Sequence, residues 1–166
     1  MTKEKITPDL AISEYADMVY RIAMSQVKNH TDAEDIFQEV FLRLVKNIHK
    51  LQTREHLKAW LIRVTINCCK SHYTNPWNKN VGTIEETQEI GVLDENLSRC
   101  EEHPVTVEVK KLPPKYQLVI YLFYYEELSI EEIAKSTNQS KSAVKTQLSR
   151  AREQLKKKLG EQYEGI

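Results

Sequence analysis

Through most of its length the chain returns an apolar residue every three or four positions, and that period restricts each stretch to an amphipathic helix. Tyr15, Met18, Val19, Ile22, Ala23 and Val27 predict a first helix over 15–27, broken by Lys28-Asn29-His30. Thr31-Asp32-Ala33-Glu34 has the form of a capping box, in which the threonine oxygen accepts from a free N–H and the glutamate reaches back. Ile36, Phe37, Val40, Phe41, Leu44 and Ile48 then follow on one face of a second helix. After a polar loop at 51–55, Leu57, Trp60, Leu61, Val64 and Cys68 mark a third helix to about Tyr73, with Trp60 read as core and Asn75-Pro76 as its end. Only 4 Gly and 5 Pro among 166 residues argue against a turn-rich all-β fold, and the length suits one domain or two small ones.

The character changes at residues 76–111, where four cations face eight carboxylates for a net of −4, periodicity is weak and no apolar run could build a core. These residues read as an acidic linker between an N-terminal domain, 1–75, and a C-terminal domain, 112–166, with a short helix accommodated near 105–112. Leu112-Pro113-Pro114 is a helix start, since a proline in the first turn forfeits no intrahelical bond, and Leu118, Tyr121, Leu122 and Tyr125 share the face that follows. Ser129-Ile130-Glu131-Glu132 is a second capping box, opening a short helix over Ile130, Ile133 and Ala134. Asn138-Gln139-Ser140 separates it from a long final helix. The expected architecture is all-α, two small helical domains of which the second is a helix-turn-helix.

The formal charge of the chain is zero, yet residues 141–158 hold seven cations against Glu153 alone, a local net of +6. Eighteen helical residues make a rod of about 27 Å. Val144, Leu148, Ala151 and Leu155 turn inward, which puts Lys145, Thr146, Ser149 and Arg150 outward near the helix start, the part of a recognition helix that enters the major groove. Lysine and arginine can donate to guanine O6 and N7, and hydroxyls reach bases or phosphates. A helix whose lysines merely keep the chain dissolved is the plainer reading. The capped short helix before it, with Glu126, Glu127, Glu131 and Glu132 set apart from the basic helix, favours DNA.

DAEDIFQEVFLRL at 32–44, LKAWLIRVTIN at 57–67 and LPPKYQLVIYLFYYEELSIEEIAKSTNQSKSAVKTQLSRAREQLKKKL at 112–159 closely resemble the extracytoplasmic-function (ECF) sigma factors. These are the smallest class of bacterial RNA polymerase specificity subunits. The resemblance covers about residues 10–75 and 105–159, with the three motifs in family order. It implies a protein without catalytic chemistry or cofactor that binds core RNA polymerase and promoter DNA, and that a cognate anti-sigma factor holds inactive. The outer face of the second helix would dock on the clamp of the largest catalytic subunit, which assigns Asp35, Gln38, Glu39 and Leu42 to polymerase contact. The last helix would read the minus-35 element through Lys141, Ser142, Lys145, Thr146, Ser149 and Arg150. In this family the minus-10 element is read as an unstacked strand with a base flipped between the loop before the third helix and that helix. Here those are Gln52, Thr53, Arg54, Glu55, His56 and Asn67, with Arg63 on a phosphate; a polar pocket must offset the few kcal/mol of lost stacking.

The sequence departs from the family in places. Ser71 and Thr74 stand where an aspartate and an arginine are usual, with Lys70, His72 and Lys79 as substitutes. Asn138 replaces the turn glycine and tolerates the left-handed conformation, while Gln139 replaces an apolar residue, which predicts a looser turn. As a coil the 36-residue linker would span roughly 35 Å, against about 70 Å for two turns of DNA, so it is expected to be compact in the free protein and stretched through a polymerase channel when bound. Cys68, Cys69 and His72 invite a metal, but a structural zinc site wants four ligands, and Cys100 and His103 lie in the linker, so no metal is expected. Three cysteines, two of them adjacent, read as reduced thiols in a cytoplasmic protein, with a redox role for Cys69 left open. No run approaches the roughly 18 apolar residues of a membrane span, and the N-terminus lacks a signal-peptide core. The competing reading is an autonomous helix-turn-helix regulator that binds duplex DNA as a dimer, although no dimerisation helix follows the basic one. A sigma antagonist would leave the basic helix unexplained, and an enzyme would need a carboxylate pair, a nucleophile–base set or a phosphate loop that the sequence lacks.

Overall fold

A computed structural model describes residues 5–74 and 104–160, and among the described residues every regular element is helical. The chain divides into two compact units, Met1–Val92 and Leu93–Ile166. The linker conformation, Lys79, Cys100 and His103 lie outside the described residues.

In the first unit, helix α1 spans Pro8–Val27, one turn and more beyond the expected start at 15. The signal was present: Thr7 accepts from the Leu10 N–H at 3.1 Å and Pro8 occupies the first turn. Lys28 stops the helix in the left-handed conformation, with φ 62°. Helix α2, His30–Asn47, starts two residues earlier than expected, under an Asn29 cap and not under the Thr31 box. Asn29 accepts from the Asp32 N–H at 2.8 Å and donates to the Asp32 carboxylate at 2.7 Å. Asparagine caps as well as threonine does, and a cap directly behind Lys28 lets the chain reverse within two residues. A short 3₁₀ turn, Ile48–Lys50, leads to α3, Arg54–Thr74.

The three helices pack on one another around Val19, Ile22, Val40, Leu44, Leu57, Leu61 and Ile62, all at most 1% exposed. On α3 the buried stripe is rotated from the expected one: Trp60 and Val64 are only part-buried, while Ile62, Thr65, Ile66 and Cys69 are buried. A helix covered by two neighbours must bury a wider arc than an amphipathic stripe shows, and Thr65 enters it by donating to the Leu61 carbonyl at 2.6 Å. Tyr20 and His30 form a hydrogen bond inside this unit, and His72 Nε2 lies 3.1 Å from the Asp32 carboxylate, tying the end of α3 to the start of α2.

The second unit begins with α4, Pro104–Lys110, the short helix allowed for near 105–112. It packs against the last helix and buries Val109, so these residues are part of the folded unit and not of a linker. Helix α5, Pro114–Ile120, continues into a π-helical turn, Tyr121–Tyr125, closed by the Glu126 N–H on the Tyr121 carbonyl at 3.0 Å. The expected regular helix to 125 is thus widened at its end. Leu118, Tyr121 and Leu122 are buried as predicted, but Tyr125 is 38% exposed. Helix α6, Ile130–Thr137, carries the full Ser129/Glu132 capping box, with bonds of 3.1 and 3.0 Å. Asn138 turns left-handed at φ 56°, Ser140 caps, and α7 runs Lys141–Leu159. The core is the inner face of α7, Val144, Leu148, Ala151, Leu155 and Leu159, against α5 and α6.

Gln139 does not loosen the turn. Its amide donates to the Thr137 hydroxyl at 2.9 Å, and its carbonyl accepts from Gln147 Nε2 on α7 at 2.6 Å. A polar tie replaces the apolar contact that the family pattern would place there.

Candidate nucleic-acid and protein interfaces

Helix α7 is oriented by its apolar stripe, and its charged residues face solvent. Lys141, Ser142, Lys145, Thr146, Ser149 and Arg150 are all exposed, as the sequence predicts. The Thr146 hydroxyl donates to the Ser142 carbonyl at 3.0 Å, which leaves its oxygen free to accept from a base or amine. Glu131, on α6, lies 4.0 Å from both Lys135 and Lys141. At that separation, with all three side chains more than half exposed, the pairing is weak and readily exchanged for a phosphate.

On the first unit, Asp35, Gln38, Glu39 and Leu42 form one exposed ridge of α2. Leu42 is 59% exposed, and Val45, a residue the sequence reading omitted, is 56% exposed three positions on. Their spacing alone could have added Val45, since i and i+3 share a face. Arg43 pairs with Glu39 at 2.8 Å, and this hydrogen bond raises the Arg43 pKa. Asp35, Ile36, Glu39, Arg43, Cys68, Ser71 and His72 line a shallow concavity of about 270 Å³ between α2 and α3. Burial pushes the Cys68 thiol up, with Arg43 opposing, and pushes Cys69 up to about 12. Both sulfurs are therefore held as thiols at neutral pH, the opposite of what a reactive cysteine needs.

The residues proposed for the downstream element separate into two places. Gln52 and Thr53 precede α3, and Thr53 caps it by accepting from the His56 N–H at 3.1 Å, so Arg54, Glu55 and His56 are already helical and not loop as expected. All five are exposed, and Arg54 is paired with Glu14 of α1 at 2.7 Å. Arg63 and Asn67 are also exposed, one helical turn apart, with Lys70 next on the same face. Asn67 lies 13 residues beyond Arg54 on one continuous helix, about 20 Å along its axis. The start of α3 and Asn67 are thus two exposed patches on one helix.

The family model for sigma-70 region 2 matches residues 11–78 and that for sigma-70 region 4 matches residues 105–155. The chain is 32% identical over 158 residues to the ECF RNA polymerase sigma factor SigW of Bacillus subtilis, covering 87% of this chain and 84% of that one. The chain belongs to the ECF sigma factors. It is likewise 31% identical to the ECF RNA polymerase sigma factor SigM of Bacillus subtilis, over 91% of this chain and 94% of the relative. The solved sigma factor RpoE, in complex with the anti-sigma factor NepR from Bartonella quintana, matches with a TM-score of 0.65 at 20% identity, over 93% of this chain and 98% of that one. CnrH, in complex with the cytosolic domain of CnrY, matches at a TM-score of 0.61 and 20% identity, over 94% and 89%. These two likenesses establish the fold. As an ECF sigma factor the protein directs bacterial RNA polymerase to promoters and binds DNA in doing so, which displaces the autonomous-regulator reading. Among the described residues no helix of this sigma factor is long and apolar enough to cross a membrane.

Proposed function

We propose that this ECF sigma factor divides promoter recognition between its two units. The C-terminal unit, which takes in α4, reads the upstream, minus-35 element with Lys141, Ser142, Lys145, Thr146, Ser149 and Arg150 on α7. The observation that carries this reading is that all six face solvent from the start of a capped helix seated by a helix-turn-helix. The N-terminal unit engages the unstacked minus-10 strand at two places. Gln52, Thr53, Arg54, Glu55 and His56 hold one nucleotide, and Asn67, with Arg63 on a phosphate, meets another farther along α3.

Asp35, Gln38, Glu39 and Leu42, extended by Val45, form the polymerase-docking ridge, acidic around an apolar centre. An anti-sigma factor is the partner that would cover such surfaces; the solved relatives RpoE and CnrH are described with NepR and CnrY. The protein acts in the cytoplasm, where polymerase and promoter are, and contributes binding energy without catalytic chemistry of its own.

The test is transcription by purified core polymerase, with and without the protein, on promoters randomised at both elements. Initiation that requires the protein is expected, with Lys145→Ala relaxing the upstream sequence and Asn67→Ala the downstream one. Duplex binding by the protein alone, with no effect on polymerase, would refute the reading.

A further inference from the structure

Of the four cations of α7 outside the base-reading set, Arg152 is seated against aromatic side chains that follow α5. Arg152 is exposed, yet its Nε donates to the Tyr124 hydroxyl at 2.6 Å. Its guanidinium also lies over two rings, 5.4 Å from the centre of Phe123 and 5.5 Å from that of Tyr124. The rings meet edge to face, 4.9 Å apart, at the π-helical turn that ends α5. Such turns recur at functional sites because they re-aim side chains that a regular helix would send elsewhere. Tyr124 remains 52% exposed, so the cluster covers little surface. What it does physically is fix the direction of a side chain that would otherwise sample many rotamers.

That direction has a use. With Nε occupied, the four N–H bonds on the two terminal nitrogens remain, the fork that grips a phosphate through paired bonds. Seven residues separate Arg152 from Lys145, nearly two full helical turns, so the two share a side of α7 with an axial offset of about 10 Å. The major groove is about 12 Å wide. A helix that sets Lys145 over the bases therefore carries Arg152 to the phosphate ridge bordering the groove. We infer that Arg152 is a pre-set clamp on a backbone phosphate at the edge of the upstream element, with Tyr124 as its positioning residue. The inference rests on α7 being the helix that reads that element. Holding the fork in place before contact lowers the ordering cost of binding, the advantage of a stacked arginine over a free lysine.

The test uses the full-length protein bound to core polymerase, on a promoter selected as above, with affinity measured from about 50 to 200 mM salt. Arg152→Ala should weaken binding roughly tenfold, the scale of one charge-assisted contact, and equally for every upstream sequence. It should also lower the log–log salt slope by about 0.9, one phosphate's share. Arg152→Lys should restore the slope without the full affinity, since it returns the charge but not the fork. Tyr124→Phe keeps ring and charge and removes only the hydroxyl. It should weaken binding in the wild-type background and have no further effect beside Arg152→Ala. If Arg152→Ala lowers the melting temperature while affinity and slope stay at wild-type values, the cluster is a structural staple and the inference is overturned. Lys145→Ala separates the two levels: if it weakens binding where Arg152→Ala does not, only the clamp is wrong. If neither has an effect, α7 does not read the element at all.

Discussion

Replacing Gln139 tests whether a polar tie can do the work of an apolar contact in a helix-turn-helix. Gln139 links Thr137, at the end of α6, to Gln147, on α7, through bonds of 2.9 and 2.6 Å. The Gln147 side-chain oxygen is buried with no hydrogen-bond partner, so the Gln147 amide has little else to hold it. Gln139→Ala removes both bonds and takes from the part-buried Gln147 amide its acceptor on the turn. At about 1 kcal/mol for each of the two bonds, the expected cost is about 2 kcal/mol. Replacing both partners with leucine removes the polar groups together and refills the turn with apolar volume, so Gln139→Leu with Gln147→Leu should return to within about 1 kcal/mol of wild type. Because the chain has two units, a single melting curve is ambiguous. Amide exchange of the buried α7 residues Val144, Leu148 and Ala151 reads the local opening free energy instead. A loss below about 0.5 kcal/mol in Gln139→Ala, or a double leucine variant less stable than the single alanine one, would refute the reasoning.

Other perturbations discriminate equally sharply. Asn29→Ala should cost about 1 kcal/mol in unfolding experiments and Thr31→Ala less than half of that, since Asn29 holds the cap of α2; the reverse order would restore the capping box at Thr31. Leu42→Arg, at a side chain 59% exposed, should leave the melting temperature within a degree or two, yet abolish capture of core polymerase in a pull-down. Cys69 is raised from an ordinary 9.0 to about 12, so the folded state holds its proton where the unfolded chain releases it. Stability from this group is complete below pH 9 and is lost as pH rises toward 12, so Cys69→Ala should flatten the decline in denaturant midpoint across that window relative to wild type. An identical decline in both proteins would show that the thiol contributes nothing.

Local signals in the chain were enough for the helices and for the family. The Ser129/Glu132 box, Asn138 at its left-handed position and the apolar stripe of α7 each act within one turn, and each was legible because its physics is local. The same holds for the outward residues of α7 and α2, which follow from helical period once the buried stripe is known. Where two local signals competed, sequence reading chose wrongly: Asn29 and Thr31 can both cap, and only the tight reversal after Lys28 selects Asn29. Packing decided the rest. The wide buried arc of α3 exists because α1 and α2 both cover it, which no single-face pattern encodes. The separation of Asn67 from the start of α3 follows from one unbroken helix, and the tie between Gln139 and Gln147 spans eight residues across a turn. The seating of Arg152 on Phe123 and Tyr124 joins side chains 28 residues apart, through a π-helical turn that no spacing rule announces. Periodicity and caps are read from neighbours in sequence, whereas pairings between helices are set by whichever side chains the fold brings within a few ångströms.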